Sequence, residues 1–372
     1  MTHVRAIAKL FMVILLFSAG ISNRIYAKTR LFTLSDYYTE NPALAEQTEK
    51  IFFSLNDSDR VAQMIISVAG RLGRTDKEVN ALIGEKVIGG VLLLNGTVSS
   101  FSKLTKRFNT SAEKAGILPL LYSADAEPTL FNIKIKDTPF IPKTNNLRDI
   151  ELTREVATII AEELKKIGIH QNYAPVVDTA VNREIINNRS FGSDEKDIIA
   201  KGTVFTQTLQ FSDIVATAKH FPGHGNVKGD SHVQLVYIDG ELTELNPYHA
   251  LINAEVISVM VGHIAITNNE KYATDGIPAT CSKKIVTGLL REEMGFKGII
   301  VTDAMWMKAL KNIPNPDLAA AQAGCDMILM PIDERKCHTD ILQTITTDIS
   351  FKAQIYESVK RIIRLKICLG LL

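Results

Sequence analysis

Short stretches dense in apolar residues recur along the chain after residue 60, and an amphipathic stretch follows each of them. The apolar residues within a stretch are nearly continuous rather than alternating with polar ones. This pattern is typical of parallel strands that helices cover on both faces. The runs are Val61–Gly70, Ile88–Asn95, Pro119–Glu127, His170–Asp178, Ile214–Gly223, Val256–Ile266, Gly298–Asp303 and Cys325–Pro331.

The segments between the runs carry helical patterns. From Glu151 to Ile167 apolar residues repeat at helical spacing, and charged residues occupy the opposite face. Ser193, which Asp194 and Glu195 follow, predicts the N-cap of the next helix. We also expect a leading helical segment over residues 28–60 and a closing helix over Phe351–Leu372.

Repeated strand–helix units predict an α/β fold, a (β/α)8 TIM-type barrel that forms a single domain over residues 28–372. The runs start at intervals of about 38 residues, enough for a strand, a helix and two loops. An open doubly wound sheet would show the same alternation. The presence of eight runs favours the closed barrel.

The composition is that of a globular protein: 46% of the 372 residues are hydrophobic and 22% are charged. Lys and Arg number 42 against 41 Asp and Glu, which gives a formal net charge of +1. Because this balance provides no long-range field for phosphates, we expect no nucleic-acid partner. A partner must be recognised by a local site.

The first 27 residues predict a secretory signal peptide, because basic residues precede the apolar stretch Leu10–Phe17 and small residues follow it. We therefore expect a secreted protein, periplasmic or on the cell surface, with no stable membrane insertion after cleavage. An uncleaved N-terminal anchor over Leu10–Ile21 is the alternative interpretation.

Titratable residues stand at the carboxyl ends of four runs, where a barrel of this type builds its active site. They include Asp125 and Glu127 at the end of the third run, Lys219 and His220 in the fifth, His263 in the sixth and Asp303 at the end of the seventh. Each could separately be a satisfied core or capping residue. Their shared position at one rim favours a common functional site.

The loop after the fifth run is the densest region, with Lys219, His220, His224, Asp230 and His232 within 14 residues. If the segment is extended, Asp230 and His232 project from the same face. A carboxylate that accepts from one imidazole nitrogen fixes the tautomer and leaves the other nitrogen to transfer a proton. This pair predicts a general acid/base dyad.

The apolar run Gly298–Thr302 delivers Asp303 to the rim. A lone carboxylate there could bind a hydroxyl group, hold a metal ion or attack an electrophilic carbon. Combined with an acid/base dyad, the attack would suit retaining glycoside hydrolysis. A zinc hydrolase is the rival, because five residues could ligate the metal: His220, His224, Asp230, His232 and Asp303. Against it, Pro222 and Gly223 separate His220 from His224 and prevent a helical pair of ligands. We therefore predict no metal and no cofactor.

Several segments together resemble family 3 glycoside hydrolases, specifically their β-N-acetylglucosaminidases (β-N-acetylhexosaminidases). The fifth-run segment Lys219–Gly225 with Asp230–His232 resembles the family signature. Further similar segments occur in the family order: Asn172–Asp178, Arg189–Gly192, Val259–His263, Val301–Ala304 and Leu369–Leu371. The resemblance covers roughly residues 45–372 and implies the same barrel fold.

The resemblance also implies an activity and roles for individual residues. The activity would be the retaining removal of terminal β-linked N-acetylglucosamine from peptidoglycan-derived glycans such as muropeptides. Asp303 would be the nucleophile that forms a covalent glycosyl-enzyme, and His232 the acid/base that Asp230 orients. Four residues would hold the terminal sugar: Asp125, Arg189, Lys219 and His220. His263 is a further candidate for the pocket wall.

One segment departs from the family pattern. After Glu127 the family continues with a glycine-containing turn and then an arginine, whereas this chain reads Pro128–Ile133 without either. We expect the difference to alter substrate affinity or subsite preference. A β-glucosidase of the same family and a glycan-binding protein without catalysis are the alternative functions.

Overall fold

The computed structural model describes residues 30–182 and 184–372. Phe32–Leu372 forms one compact unit. The signal peptide predicted for residues 1–27 lies outside the described residues and stays a prediction. Among the described residues, no helix combines the length and the apolar character needed to cross a bilayer.

Eight parallel strands form the central sheet, which confirms the predicted (β/α)8 barrel. The strands are β1 Ile65–Ala69, β2 Gly90–Leu93, β4 Leu121–Ala124, β6 Gln171–Asn172, β7 Val215–Phe221, β9 Ser258–Val261, β11 Ile299–Thr302 and β12 Ile328–Leu329. They are hydrogen-bonded in the order β11-β9-β7-β6-β4-β2-β1-β12. A bridge between Val301 and Met327 joins the two ends of this order and closes the ring.

Each predicted apolar run contains one barrel strand, and every residue of these strands is buried. The barrel interior and the surrounding helices both exclude water from them, so no polar face is required. The first run begins too early, because Val61 and Ala62 end a helix.

Two small parallel sheets lie beyond the carboxyl ends of the barrel strands. One pairs β3 Gly96–Thr97 with β5 Ile135–Lys136, and the other pairs β8 Val236–Asp239 with β10 Ile264–Thr267. They fix the course of the long loops on the face that carries the site.

Helices follow the strands in the alternation that the sequence predicts. The helices are α1 Pro42–Ser54, α2 Asp57–Ala62, α3 Asp76–Gly84, α4 Val98–Ala115, α5 Pro128–Lys134, α6 Ile150–Ile167, α7 Glu195–Phe211, α8 Leu245–Asn253, a π-helix Lys284–Glu293, α9 Pro316–Ala323, α10 Glu334–Thr347 and α11 Ile349–Cys368. Short 3-10 turns occupy Leu34–Asp36, Thr144–Asn146, Asn187–Arg189, Ala279–Cys281 and Lys308–Leu310.

The predicted cap of α7 was one residue too early. Asp194, not Ser193, is the N-cap, and its carboxylate accepts the backbone N–H groups of Lys196 and Asp197. A carboxylate at this position also interacts favourably with the positive end of the helix.

Helix α11 closes the amino-terminal end of the barrel. Its buried Lys366 donates to Gln63 Oε1 at 2.7 Å and to the carbonyls of Gly89 and Pro119 at 3.1 and 2.7 Å. Because Gly89 and Pro119 precede β2 and β4, this side chain ties the helix to two strand entrances. The opposite end of the barrel remains open for a ligand.

Candidate active site

A cavity of about 350 Å³ opens at the carboxyl ends of the barrel strands. Its charged and titratable lining includes six of the seven predicted site residues: Asp125, Arg189, Lys219, His220, His232 and Asp303. The seventh, Asp230, reaches the cavity through its contact with His232. The residues come together because the carboxyl ends of the parallel strands and the loops that follow them lie on this face.

A charge cluster of Asp125, Glu127, Lys134, Arg189 and Lys219 forms one side of the cavity. Lys219 on β7 is 2% exposed, and its Nζ lies 2.6 Å from Asp125 Oδ1 and 3.2 Å from Glu127 Oε2. Arg189 binds the fully buried Glu127 through two parallel hydrogen bonds, Nε to Oε1 at 2.6 Å and Nη2 to Oε2 at 2.9 Å. This fork geometry fixes both side chains.

The charges of this cluster hold its acids ionised. Burial would raise the pKa of Asp125, but the cations Lys134, Lys219 and Arg189 outweigh burial and hold it well below its usual range. Burial likewise opposes ionisation of Glu127, and Arg189 and Lys219 lower its pKa. For Lys219, burial favours the neutral amine, whereas the two carboxylates raise the pKa and keep it protonated. Fixed donors and acceptors therefore face the cavity.

Sequence reasoning missed Lys134. The segment Pro128–Ile133, which lacks the family's arginine, folds into α5 with Pro128 in its first turn. Lys134 ends this helix, and its ammonium group contacts Asp125 Oδ2 at the cavity lining. A different residue thus supplies a cation beside Asp125. No run-end signal could reveal it, because it lies on a helix.

Asp303 follows β11 and is partly exposed to the cavity. Its Oδ1 accepts the N–H of Ala304 at 2.8 Å, and its own N–H donates to the carbonyl of Val261 at 3.0 Å. Burial would raise the pKa of its carboxyl group, but His220, His263 and the Ala304 N–H lower it. The arrangement provides an ionised and oriented carboxylate.

We expected His263 in the cavity wall, but it does not line the cavity. It is fully buried behind Asp303, where Nδ1 pairs with Thr280 Oγ1 at 2.8 Å and Nε2 donates to the carbonyl of Ala304 at 3.1 Å. Burial lowers the pKa of this imidazole. Its contact with Ala304 supports the segment that carries Asp303.

A buried carboxylate, Asp178, orients His220. It accepts His220 Nδ1 at 2.7 Å and the backbone N–H groups of His220 and His224 at 3.1 and 2.7 Å. Burial would raise the pKa of Asp178, but His220 and these hydrogen bonds lower it. The contact leaves Nε2 of His220 for the cavity. Sequence reasoning did not assign Asp178 a role, although it ends the fourth run as Asp303 ends the seventh.

Asp230 and His232 form a hydrogen-bonded couple. Asp230 Oδ1 accepts His232 Nδ1 at 2.7 Å and the His232 backbone N–H at 2.8 Å. The expected extended segment was wrong: the residues form a turn, because the carboxylate accepts an N–H two residues ahead. Partial burial would raise the pKa of Asp230, but the two hydrogen bonds from His232 hold it below its usual range. The His232 side chain is 58% exposed.

Buried groups beneath this turn hold it in place. Ser231 Oγ accepts His224 Nε2 at 2.9 Å, and His224 Nδ1 accepts the Asn182 amide at 3.3 Å. Burial and the neighbouring His220 lower the pKa of His224 to about 4, which keeps it neutral. Position 225 requires glycine, because an added Cβ would lie 2.4 Å from the backbone nitrogen of Thr179.

Within residues 30–182 and 184–372, no group of three or more His, Cys, Asp and Glu side chains is arranged to hold a metal ion. His220 and His224, the pair considered for zinc, are directed to Asp178 and Ser231. The site offers instead one ionised carboxylate, one imidazole–carboxylate couple and a cluster of fixed charges.

A barrel with these groups around a sugar-sized cavity at its mouth is typical of barrel glycoside hydrolases. Residues 58–365 match the family model described as the glycosyl hydrolase family 3 N terminal domain, so the chain belongs to that family.

Relatives agree with this assignment. The chain is 32% identical over 288 residues to a protein named Beta-hexosaminidase A from Pseudoalteromonas piscicida. The aligned region covers 68% of this chain and 48% of that protein. It is 28% identical over 293 residues to a Beta-hexosaminidase from Vibrio cholerae, covering 75% and 85% of the two chains. This chain therefore spans about half the length of the first relative and most of the second.

A solved structure shares the fold over most of the chain. It is a glycoside hydrolase family 3 beta-N-acetylglucosaminidase from Paenibacillus, with a TM-score of 0.77 and 28% sequence identity. The match covers 85% of this chain and 63% of that one.

Proposed function

We propose that this protein is a retaining β-N-acetylhexosaminidase that removes terminal β-linked N-acetylglucosamine. The observation that carries the proposal is that Asp303 and the Asp230–His232 couple serve one cavity of about 350 Å³. A carboxylate and a proton donor at one cavity are the two groups that retaining glycoside hydrolysis requires. Family membership and the printed names of the relatives support the same activity.

In the first step, a carboxylate oxygen of Asp303 bonds to the anomeric carbon. The glycosidic C–O bond breaks, and its electron pair stays on the leaving oxygen, which takes the proton from His232 Nε2. Asp230 keeps the Nδ1 proton of His232 in place and stabilises the imidazolium. The product is a covalent glycosyl-enzyme and a free leaving group.

In the second step, His232 removes a proton from water, and the water oxygen bonds to the anomeric carbon. The bond to Asp303 breaks, and its electron pair returns to the carboxylate. Two displacements at the same carbon restore the β configuration. The enzyme returns to its starting protonation state.

The terminal sugar binds against the charge cluster and His220. Asp125 accepts hydrogen bonds from sugar hydroxyls, and Lys219 and Arg189 donate to hydroxyl or acetamido oxygens. Because these side chains are already paired, little conformational entropy is lost when the sugar binds.

The biological substrate class is peptidoglycan-derived glycan, including muropeptides. The secretory signal expected in residues 1–27 supports this part of the proposal, because it would place the enzyme in a periplasm or on a cell surface, where such fragments occur.

A trapping experiment tests the mechanism. A 5-fluoro N-acetylglucosamine-type inactivator is expected to label Asp303 in the wild type, detected by peptide mass spectrometry. Asp303→Asn should lower kcat by several orders of magnitude on nitrophenyl N-acetylglucosaminide. Asp239→Asn, an exposed carboxylate on β8, is the matched control and should keep full activity.

The acid/base assignment has its own signature. His232→Ala should lose far less activity on nitrophenyl leaving groups than on sugar leaving groups, because the former need little protonation. Labelling elsewhere than Asp303, or no turnover of any N-acetylhexosaminide, would overturn the proposal. Equal or better turnover of nitrophenyl glucoside would assign the chain to the β-glucosidases instead.

A further inference from the structure

The chain contains one tryptophan, Trp306, and it lies at the mouth of the cavity. Its side chain is large and apolar, yet the residue is 40% exposed. The apolar residues deeper in the cavity differ: Leu92, Tyr173 and Met260 are at most 3% exposed. The ring therefore offers an apolar surface at the level where a bound ligand would extend out of the barrel.

Two contacts fix the position of this ring, and Arg74, which makes one of them, is itself held by two others. Trp306 Nε1 donates to the carbonyl of Pro331 at 2.8 Å. The guanidinium carbon of Arg74 lies 5.4 Å from the ring centre, and Arg74 is itself paired with the buried Glu334 at 2.6 Å. Arg74 also donates to the carbonyl of Ile332, the residue that follows Pro331. The ring is thus held in place before any ligand arrives.

The segment that carries Trp306 is bonded to the turn that carries His232. The N–H of Lys308 donates to the carbonyl of His232 at 3.2 Å, and Trp306 follows Asp303 by three residues. In the proposed reaction the leaving oxygen receives its proton from His232. The leaving group must therefore lie on the side of the cavity where this segment and the His232 turn meet.

We propose that Trp306 forms the leaving-group subsite and stacks on the pyranose ring next to the terminal sugar. The axial C–H groups of a pyranose give it an apolar face that matches an indole ring. The inference rests on the proposed function and narrows it. The substrates are oligosaccharides of at least two sugar rings, and glycosides with a small leaving group do not use this subsite.

Kinetics on two substrates test the subsite. Trp306→Ala should lower kcat/KM for N,N′-diacetylchitobiose by roughly tenfold, equivalent to about 1.4 kcal/mol. It should change kcat/KM for methyl N-acetyl-β-glucosaminide by less than about twofold, because methanol has no ring to stack. Trp306→Phe should retain part of the chitobiose activity. Phe211→Ala, an aromatic that is 94% exposed and does not line the cavity, is the matched control.

The fluorescence of the single tryptophan gives a second, independent measurement. In the inactive Asp303→Asn protein, N,N′-diacetylchitobiose should change the emission of Trp306, whereas N-acetylglucosamine alone should leave it nearly constant. Calorimetry establishes whether each sugar binds. Chitobiose that binds without changing the emission would refute the stacking.

The outcomes separate this inference from the proposed function. If the wild type hydrolyses both substrates and Trp306→Ala slows both equally or neither, the subsite is refuted and the hydrolase remains. If the wild type hydrolyses neither substrate, the proposed function fails, and the fluorescence titration still decides whether Trp306 contacts a disaccharide.

Discussion

Replacement of Glu127 by glutamine removes one negative charge from the charge cluster and keeps the shape of the side chain. The cluster contains two carboxylates and three cations, so it carries a net charge of +1: Asp125 and Glu127 against Lys134, Arg189 and Lys219. Glu127→Gln would leave two. Arg189 would keep one acceptor in place of two, and its charge would face a neutral amide at a fully buried position.

The cost follows from the burial of this pair. Glu127 is fully buried, and breaking a buried ion pair by removing one partner typically costs about 3–5 kcal/mol. Unfolding entropy of about 2.1 cal/mol/K per residue over a folded unit of about 340 residues makes each kcal/mol worth about 1.4 °C. We therefore expect the thermal unfolding midpoint of Glu127→Gln to fall by about 4–7 °C.

A second ion pair with the same separation isolates the effect of burial. Glu293 Oε2 lies 2.6 Å from Lys271 Nζ, but the Glu293 and Lys271 side chains are 41% and 63% exposed. Glu293→Gln should cost less than about 1 kcal/mol, because water replaces the lost partner. Differential scanning calorimetry of both variants at one scan rate measures the difference. Equal midpoints for the two variants would refute the argument that burial makes this cluster essential.

Two further predictions concern Lys134, the cation beside Asp125, and His224, the buried histidine beneath the turn that carries His232. Lys134→Met should raise KM for nitrophenyl N-acetylglucosaminide by about tenfold with a smaller change in kcat, because a charged donor in the cavity is lost. The control Lys136→Met, at an exposed lysine nearby, should change neither constant. An unchanged KM in both variants would contradict a role of Lys134 in substrate binding. Folding lowers the pKa of His224 from 6.5 to about 4, so as the pH falls the unfolded chain binds a proton on this imidazole before the folded protein does. The stabilisation from neutral His224, at most about 3 kcal/mol, is therefore complete above pH 6.5 and is lost as the pH falls toward 4. His224→Gln cannot gain this proton, so its unfolding midpoint should depend less on pH between 6.5 and 4, whereas the exposed His249→Gln control should keep the wild-type slope; identical slopes would show that His224 does not titrate in this way.

The strands were predictable because their environment on both faces is the same. A strand covered by helices outside and by side chains inside cannot tolerate a polar face, so Ile299–Thr302 and its counterparts appear as continuous apolar runs. The residues at which helices begin and end were harder to predict from the sequence. The cap of α7 moved from Ser193 to Asp194, because both residues can cap and only the backbone conformation selects one of them.

Four predicted site residues converge for a topological reason, because they lie at the ends of parallel strands and these ends meet on one face: Asp125, Lys219, His220 and Asp303. Residues outside the strand ends lack this constraint. Lys134 ends a helix and Trp306 lies in the turn after β11, so their approach to the cavity depends on backbone paths that spacing does not encode. The Asp230–His232 pair was predictable as a contact but not as a turn, because a two-residue spacing suits either conformation.

The structure divides the site between a rigid part and an exposed part. Lys219 and Arg189 are both paired with the fully buried Glu127, so the charge cluster cannot rearrange without breaking ion pairs. His232 stands on a surface turn and is held from below through the Ser231–His224 contact and from the side by Lys308. In the proposed mechanism the acid/base gives a proton to a departing group and later takes one from an entering water, so an exposed position suits His232. Asp303 and the charge cluster would have to meet the sugar in one orientation, and for that role side chains fixed by hydrogen bonds and ion pairs are the better arrangement.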